Sequence, residues 1–369
     1  MSENQTLSAY AAYSLDETER VNSSSGGIFS LIARRILSDH GVVYGVAMSE
    51  DCRKAEYLRV TDEDGLERLR TSKYLQAHVG DTLRSVKEDL GNGLTVLFSG
   101  TGCQINGLIG YLGVGKCASA VKMSYPNLYC VDVICHGAPS PALWREYVEY
   151  IEKENAAKLI GINFRCKDDN WTDFGVKETY SQEGIAQCKE LYISKDKDPY
   201  MLMFLRDYCL RPSCYACKAK ELKLSDITLA DFWGIQKIAP EMSDGKGTSL
   251  VLVRSDKGKG LLQESQEIKV KEVSYTEGVA YNRAEYQSAL RPVQRDVFFD
   301  DMSVLPFEEL RKKYGTPTPV PLKRKIKSGI KKALIRAKII GGGVQHDSSY
   351  GLLFTFQTED RKRLKPEKS

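Results

Sequence analysis

The sequence predicts an α/β fold with a mixed, largely parallel sheet and flanking helices. Short apolar runs rich in β-branched residues predict strands, and stretches with apolar residues three or four positions apart predict helices between them. The clearest case is VVYGVAM at residues 42–48, which follows a helical pattern that opens after SSSGG and stops at Gly41. Strands that alternate with helices are typical of parallel sheets, because a helix returns the chain to the same edge.

The alternation continues along the chain. Further strands are predicted at residues 95–99, 128–135, 159–164, 227–234 and 249–255. Helices are predicted at residues 61–70, 82–90, 103–112, 142–155 and 200–209. Residues 1–20 lack strong periodicity and are predicted to be a lead-in. The rest divides into an N-terminal α/β region (21–157), a C-terminal α/β region (158–315) and a tail (316–369).

The composition is that of a globular protein. Of the 369 residues, 42% are hydrophobic and 28% are charged, which is enough apolar material for a core. The longest apolar runs span about eight residues, whereas a membrane-spanning helix needs about 20. The first 20 residues are polar and acidic, unlike a secretory signal. We therefore expect a cytoplasmic protein, whose ten cysteines serve metal binding or redox chemistry rather than disulfides.

Positive charge is concentrated near the C-terminus. The net charge is +4, yet the segment between Lys323 and Lys338 carries eight basic residues and no acid, so the remainder is mildly acidic. Its apolar residues fall on one face of a helix. Such a helix can lie on an anionic membrane surface, at the inner face of the membrane, or dock on an acidic partner. A solvated, partly flexible tail fits equally well, and the lack of aromatic residues argues against nucleic-acid binding.

A pair of cysteines at C-x-x-C spacing is the strongest chemical signal. In LRPSCYACK, Cys214 and Cys217 can reach one metal centre from a single turn; a redox dithiol and an incidental pair are the alternatives. Cys103 lies between a predicted strand and helix, and Cys135 ends a predicted strand, where α/β folds place ligands. Either one alone fits a core position equally well, but together with the pair they form a four-thiolate set. Cys209 is the reserve ligand.

The other cysteines lie in contexts without such signals. We expect them to be core or surface residues, because a free cysteine packs like a small hydrophobic residue. They are Cys52, Cys117, Cys130, Cys166 and Cys188.

Two Ser/Gly turns are candidate cofactor sites. SSSGG and SGTG each lead into a predicted helix, where amides, hydroxyls and the helix dipole favour a phosphate; a plain helix N-cap is the alternative. The lysine of RTSKYLQ could add positive charge, although a lone lysine usually lies on the surface. The histidine after Cys135 could donate a proton, pair with a cofactor or cap its loop. The residues concerned are Ser24, Ser25, Gly26, Gly27, Lys73, Ser99, Thr101 and His136.

Seven motifs, taken together and in order, resemble a known family. They are SSSGGIFSLIARRIL, GVVYGVAM, RTSKYLQAHVGDT, VLFSGTGCQINGL, DVICHGAPSPALW, LRPSCYACKAK and SDITLADFWGI. The sequence is similar in these motifs to the coenzyme F420 hydrogenase/dehydrogenase beta-subunit family. The resemblance implies a flavoprotein oxidoreductase that passes electrons between a [4Fe–4S] cluster and FAD, and on to a deazaflavin or an organic acceptor.

The resemblance also implies roles by position. Cys103 matches the cysteine of the family's GTPCQ, Cys135 that of its ICHG, and Cys214 and Cys217 those of its PSCxxC, which makes these four the implied cluster ligands. The SSSGG turn and Lys73 match segments associated with the flavin, so residues 21–157 are the expected flavin-binding region. This sequence reads GTGCQ, with glycine in place of the family's proline, which loosens the turn.

Partners follow from a second departure. Many relatives begin with a ferredoxin module, C-x-x-C-x-x-C-x-x-x-C-P, and this sequence contains no such run. Electrons are then expected to enter from a separate ferredoxin or electron-transfer subunit. The rival expectation is a non-catalytic scaffold or accessory protein of polysaccharide synthesis, in which the cysteines hold a structural metal.

Overall fold

The computed structural model describes residues 6–113, 125–167, 171–182, 184–263 and 267–317. The basic segment between Lys323 and Lys338 lies outside the described residues, as does Cys117. Residues up to Pro317 form one unit. Strands from both expected regions, 21–157 and 158–315, lie in one sheet of that unit.

The strands of the described residues form two sheets. In chain order they are β1 (Ser8–Ser14), β2 (Val42–Met48), β3 (Ala55–Val60), β4 (Ala77–His78), β5 (Val96–Thr101), β6 (Leu128–Val133), β7 (Lys158–Cys166), β8 (Gly175–Gln182), β9 (Ile185–Ser194), β10 (Ile227–Asp231), β11 (Ser249–Val253) and β12 (Ile268–Val273). One sheet has nine strands in the order β12-β1-β11-β10-β6-β5-β2-β3-β4, and the other is β7-β8-β9. The predicted mixed α/β fold is confirmed.

Parallel pairs form the centre of the nine-stranded sheet. β10, β6, β5 and β2 run parallel; Leu229 lies opposite Val133, which lies opposite Thr101. β10 pairs antiparallel with β11, so Asp231 at the end of β10 lies opposite Ser249 at the start of β11. The ends of β5, β6 and β10 and the start of β11 therefore share one edge of the sheet.

Helices cover both faces of this sheet. They are α1 (Glu17–Asn22), α2 (Ile28–Ser38), α3 (Glu63–Leu69), α4 (Thr82–Gly91), α5 (Gly102–Tyr111), α6 (Pro141–Asn155), α7 (Pro199–Leu205), α8 (Ile235–Ile238), α9 (Asp256–Gln263), α10 (Tyr275–Val279), α11 (Arg295–Val304) and α12 (Phe307–Tyr314). Val42 and Tyr44 of β2 pack in the layer that contains α4, α5 and α6, whereas Val43 packs with α2 and α3. Coverage of both faces explains the continuous apolar runs of these strands. In the described part of the chain, no helix has the length and apolar character needed to cross a bilayer.

Residues 8–14 and 200–209 differ from the sequence-based expectation. Residues 8–14 fall in the expected lead-in but form β1, which pairs with both β11 and β12. SAYAAYS has few of the residues that favour strands, although its alanines are buried. The helix expected at residues 200–209 ends at Leu205, and Asp207 adopts a left-handed backbone conformation with φ of 63°.

Two carboxyl groups and two tyrosines form a buried cluster between α6 and the three-stranded sheet. The Tyr147 hydroxyl lies 2.6 Å from Glu178 Oε1 and 2.5 Å from Asp198 Oδ2. Tyr180 donates to Glu178 Oε2 at 2.6 Å. Since a hydroxyl has one proton to donate, Tyr147 cannot satisfy both carboxylates when both are ionised. Burial accordingly raises the pKa of Asp198 from 3.8 to about 6.

The substitution Asp198→Asn should make the protein more stable at neutral pH. The folded state holds the Asp198 proton more tightly than the unfolded chain, so this group stabilises the fold below about pH 4, and the contribution is lost as the pH rises through about 6. Asparagine removes the titration and can still cap α7, where Asp198 accepts the Met201 N–H at 2.7 Å. We expect the variant to gain about 1–3 kcal/mol over wild type between about pH 4 and pH 8. Chemical denaturation at several pH values measures this difference; a difference that does not change with pH would contradict it.

Candidate functional site

The first candidate ligand, Cys103, is exposed in the first turn of α5, at the carboxyl edge of the central strands. The Thr101 hydroxyl lies 3.2 Å from the Cys103 sulfur, and the Gln104 carboxamide accepts the Thr101 N–H at 2.8 Å. Gly102 stands where the resemblance has proline, and it is closely packed: a Cβ there would lie 3.0 Å from Asp132 Oδ2. Neighbouring contacts, rather than a proline ring, therefore hold this turn.

A cavity of about 260 Å³ opens beside Cys103. Phe98 and Leu83 contribute apolar wall, while Gln104 and Arg211 contribute the polar groups. The cavity gives small molecules access to the Cys103 side of the site.

Cys135 follows β6 by two residues, in a loop that runs beside the C-x-x-C segment. The Arg211 N–H donates to the Ala138 carbonyl at 3.0 Å. The Ala138 N–H in turn donates to the Cys214 sulfur at 3.4 Å. These bonds hold the Cys135 loop and the Cys214 loop side by side.

The four predicted ligands influence one another electrostatically. Burial raises the pKa of the Cys135 thiol to about 12; the Lys220 ammonium opposes this shift, and the other three cysteines add to it. Burial also raises the pKa of Cys214, and Cys217 and Cys103 add to that shift. Coupling of this kind requires nearby charges, so the fold brings the four sulfurs, from three separate segments, into one region.

Lys220, which the sequence did not single out, connects these segments. Its ammonium donates to the Cys135 carbonyl at 2.6 Å and to the Ala284 carbonyl. The Cys217 N–H donates to Ser288 Oγ at 2.9 Å. Residues 284–288 therefore brace both the Cys135 loop and the C-x-x-C segment. Among the several lysines of CKAKELK, nothing in the sequence marks Lys220.

The chemistry of the four thiols suits an iron–sulfur cluster. Within the described ranges, no three His, Cys, Asp or Glu side chains come close enough to hold a metal ion. Four thiolates are the usual ligand set of a [4Fe–4S] cluster. The donor set therefore fits this group.

The remaining described cysteines lie elsewhere. The reserve ligand Cys209 is 0% exposed and packs in the apolar core, where burial raises the pKa of its thiol. Cys188 is exposed on β9. The others are buried: Cys52, Cys130 and Cys166.

His136 forms a hydrogen-bonded pair with a buried aspartate. Its Nε2 lies 2.7 Å from Asp207 Oδ1, and its ring meets the Phe204 ring edge-on, with centroids 5.0 Å apart. Because a carboxylate accepts, Nε2 carries the proton and Nδ1 is left as the acceptor of the neutral ring. The side chain is 37% exposed, so Nδ1 can exchange protons with a bound group or with water.

The serines of the first Ser/Gly turn are engaged by other segments. The Ser24 hydroxyl accepts the Ser72 N–H at 2.9 Å. The Ser25 hydroxyl donates to the Thr248 carbonyl, also at 2.9 Å. These bonds join the turn to the RTSK segment on one side and to the start of β11 on the other.

The glycines of the turn allow a close approach to the sheet. A Cβ on Gly26 would lie 2.5 Å from the Ala12 carbonyl oxygen and 2.9 Å from the Ser249 nitrogen. Gly27 has φ of 83° and is the N-cap of α2, which has no side-chain cap. The first-turn amides of α2 are therefore not satisfied by a capping side chain.

Two cations that sequence reasoning missed also hold this turn. Arg165 Nη2 donates to Asp231 Oδ2 at 2.7 Å and to the Ser24 carbonyl at 3.2 Å. Lys167 Nζ donates to the Ser25 carbonyl at 2.6 Å, and burial lowers the pKa of Lys167 to about 7. The only available signal was a pair of basic residues, FRCK, at the end of β7.

Lys73, like Lys167, is a lysine whose pKa is lowered by burial. Its ammonium donates to the Arg68 carbonyl at 3.0 Å and to the Arg70 carbonyl at 2.5 Å. Burial lowers the pKa of Lys73 from 10.5 to about 7. A neighbouring anion would raise that pKa and charge the ammonium. Two such lysines near one turn are typical of a functional site.

The candidate cysteine ligands and the residues around the first Ser/Gly turn lie at the carboxyl edge of the parallel strands. Ser99 and Thr101 lie on β5, and the register through β6 and β10 carries this edge to Asp231, opposite Ser249. Open α/β sheets bind ligands at this edge. The rings of His136, Phe204 and Tyr74 follow one another, with centroids 5.0 and 5.1 Å apart. They lead from the cysteine loops towards the segment that contacts the Ser/Gly turn.

Comparison with known proteins gives a family. A family model for the C-terminal region of the coenzyme F420 hydrogenase/dehydrogenase beta subunit matches residues 93–277, half of the chain. The matched span contains all four candidate ligands and His136, but neither the first Ser/Gly turn nor Lys73.

A solved structure and the curated proteins add little. This chain is similar to a chain in a solved structure of the F420-reducing [NiFe] hydrogenase complex of Methanosarcina barkeri, at 12% sequence identity and a TM-score of 0.45. That alignment covers 78% of this chain and 97% of the other chain. No curated protein matches. On the family match, the chain belongs to the coenzyme F420 hydrogenase/dehydrogenase beta-subunit family.

Proposed function

We propose that this protein is an iron–sulfur flavoprotein oxidoreductase. It passes electrons between a [4Fe–4S] cluster and FAD, and on to a deazaflavin or an organic acceptor. One observation supports the proposal: thiols from three segments influence one another electrostatically, and the carboxyl edge of the same sheet holds a Ser/Gly turn with two half-buried lysines nearby. A bound cluster supplies one-electron transfer, and a flavin links it to two-electron chemistry.

Cys103, Cys135, Cys214 and Cys217 are the proposed ligands of the cluster. The Ala138 N–H donates to the Cys214 sulfur, and hydrogen bonds of this kind help to set the potential of such centres. Cys103 is exposed, so this side of the site faces solvent. A separate ferredoxin or electron-transfer subunit would approach here, within a short distance of the ligand sulfur.

The flavin would bind through phosphate contacts at the first Ser/Gly turn. The candidate residues are Ser24, Ser25, Gly26, Gly27, Lys73, Ser99 and Thr101. The uncapped start of α2 offers amides and the positive end of a helix dipole. Lys73 and Lys167 each have a pKa of about 7 when no anion is bound. A bound phosphate would raise both pKa values, so both lysines would then be positively charged.

His136 is the proposed proton donor and acceptor. Asp207 fixes the ring through Nε2 at 2.7 Å, which orients Nδ1 away from that contact. His136 directly follows Cys135 in the chain, which supports a role next to the proposed cluster. In the proposal it supplies or removes the proton that accompanies electron transfer to the acceptor.

Replacing Lys73 with methionine should weaken FAD binding and remove its pH dependence. In wild type, the affinity should fall as the pH rises through and above about 7, because the ammonium loses its charge. Loss of a charged hydrogen bond costs roughly 10- to 100-fold in affinity at lower pH. Titration of flavin fluorescence from pH 6 to 9 measures both effects. Lys87→Met is the control, since Lys87 is exposed on α4. An equal loss of FAD affinity in both variants would contradict a role for Lys73 in FAD binding.

Electron transfer to bound flavin tests the function itself. The anaerobic protein with FAD should lose the absorbance of oxidised flavin when reduced ferredoxin is added. A serine variant at Cys214 should bind FAD but remain oxidised. A protein that binds stoichiometric zinc and never reduces flavin would instead support the scaffold of polysaccharide synthesis.

A further inference from the structure

Tyr57 has a buried hydroxyl without a hydrogen-bond partner. Tyr57 lies on β3 opposite Val46, and its ring stacks on Phe98 of β5 with centroids 5.0 Å apart. The side chain is 9% exposed. In the part of the chain that the structure describes, no group accepts from or donates to this hydroxyl. A polar group buried without a partner is unfavourable and calls for a physical explanation.

The hydroxyl points to Gly100, near the end of β5 and three residues before Cys103. A Cβ on Gly100 would overlap the Tyr57 oxygen, so only glycine leaves room for the hydroxyl there. Burial raises the pKa of Tyr57 well above 10, and the charges of Cys103 and Cys130 raise it further. Tyr57 therefore lies within the electrostatic influence of the Cys103 sulfur.

The nearest polar side chain is already occupied. Gln104 Oε1 would lie 2.9 Å from a Cβ on Gly100, which places it next to the Tyr57 hydroxyl. That oxygen accepts the Thr101 N–H at 2.8 Å and the Thr101 hydroxyl at 3.0 Å. The turn before Cys103 thus uses this acceptor for its own capping, and Tyr57 is left with a proton to donate.

We propose that Tyr57 is a positioning residue whose hydroxyl donates a hydrogen bond to an anionic sulfur of the cluster at Cys103. This inference rests on the proposed function. The hydroxyl, which has no partner among the described residues, would then gain one when the cluster binds. Hydrogen bonds to cluster sulfurs favour the more negative, reduced state and so raise the reduction potential.

The substitution Tyr57→Phe removes only this oxygen. In cluster-free protein the variant should melt roughly 2–4 °C above wild type, because an unsatisfied polar group is gone. In the loaded protein that gain should vanish. At the wild-type midpoint potential, the ratio of reduced to oxidised cluster should fall by up to about tenfold, equivalent to 59 mV for one electron. Redox titration followed by electron paramagnetic resonance measures this ratio.

Two further variants separate the proposal from a packing effect. Gly100→Ala should displace the hydroxyl and lower the potential in the same direction. Tyr44→Phe is the matched control, since the buried Tyr44 hydroxyl donates to Asp89 Oδ2 at 2.6 Å. It should lower the melting temperature of both forms equally and leave the potential unchanged.

The outcomes also separate this inference from the proposed function. A loaded Tyr57→Phe protein with the wild-type potential, and with the same melting shift in both forms, would overturn the role of Tyr57 alone. A wild-type protein that takes up no cluster after anaerobic reconstitution would overturn both.

Discussion

Protein with serine in place of Cys214 is expected to lack the brown colour of an iron–sulfur cluster after anaerobic reconstitution. Cys214 contacts the loop that contains Cys135, since the Ala138 N–H of that loop donates to the Cys214 sulfur at 3.4 Å. A serine hydroxyl is a poor ligand for iron, so the site would keep three thiolates of four. Iron should fall from about four per chain to near none, together with the broad visible absorbance. Iron analysis and absorbance spectroscopy measure the loss.

Two other cysteines are matched controls for Cys214. Cys188→Ser changes an exposed residue of β9, and Cys209→Ala changes the buried reserve ligand. Both variants should keep the wild-type iron content. If Cys214→Ser keeps full iron while Cys209→Ala loses it, the ligand set we propose is wrong at this position.

Glu285→Gln should cause a large loss of stability. Glu285 is 0% exposed; its carboxylate lies 2.6 Å from Arg254 Nη2 and 3.0 Å from Lys223 Nζ. Both cations are nearly fully buried as well. Glutamine would remove the negative charge that both buried cations contact, which costs about 3–5 kcal/mol. Chemical denaturation of the wild type and the variant measures this difference.

The same substitution should also disturb the candidate site. Glu285 follows Ala284, whose carbonyl accepts from Lys220 beside Cys135. Glu308→Gln is the control, because Glu308 and its partner Lys312 are both exposed on α12; this variant should unfold like wild type. Equal effects of the two substitutions would contradict a structural role for the buried ion pairs.

The central strands could be predicted from the sequence because helices cover both faces. VVYGVAM coincides with β2, and the helix predicted at residues 142–155 starts one residue after α6 begins. Strand β1 could not be predicted: its alanines carry little strand preference, and its pairing with β11 and β12 is decided by residues more than 230 positions away. Strand β12 at the sheet edge, IKVKEV, alternates with charges and gives only a weak signal.

In the candidate site, too, some residues could be predicted from the sequence and others could not. The cysteines stood out because spacing and position at strand ends are local features of the sequence. Lys220 and Lys167 did not, because their contacts to the Cys135 and Ser25 carbonyls join residues 85 and 142 positions apart. Tyr57 could not be found from the sequence, because only the folded chain shows that its hydroxyl is buried without a hydrogen-bond partner.

Metal and sulfide analysis of the full chain, purified without oxygen, tests the central claim most directly. Four thiolates from three segments gathered around one inorganic centre predict about four iron atoms and about four acid-labile sulfides per chain. One zinc per chain with no sulfide would contradict the redox account and leave a structural metal in its place.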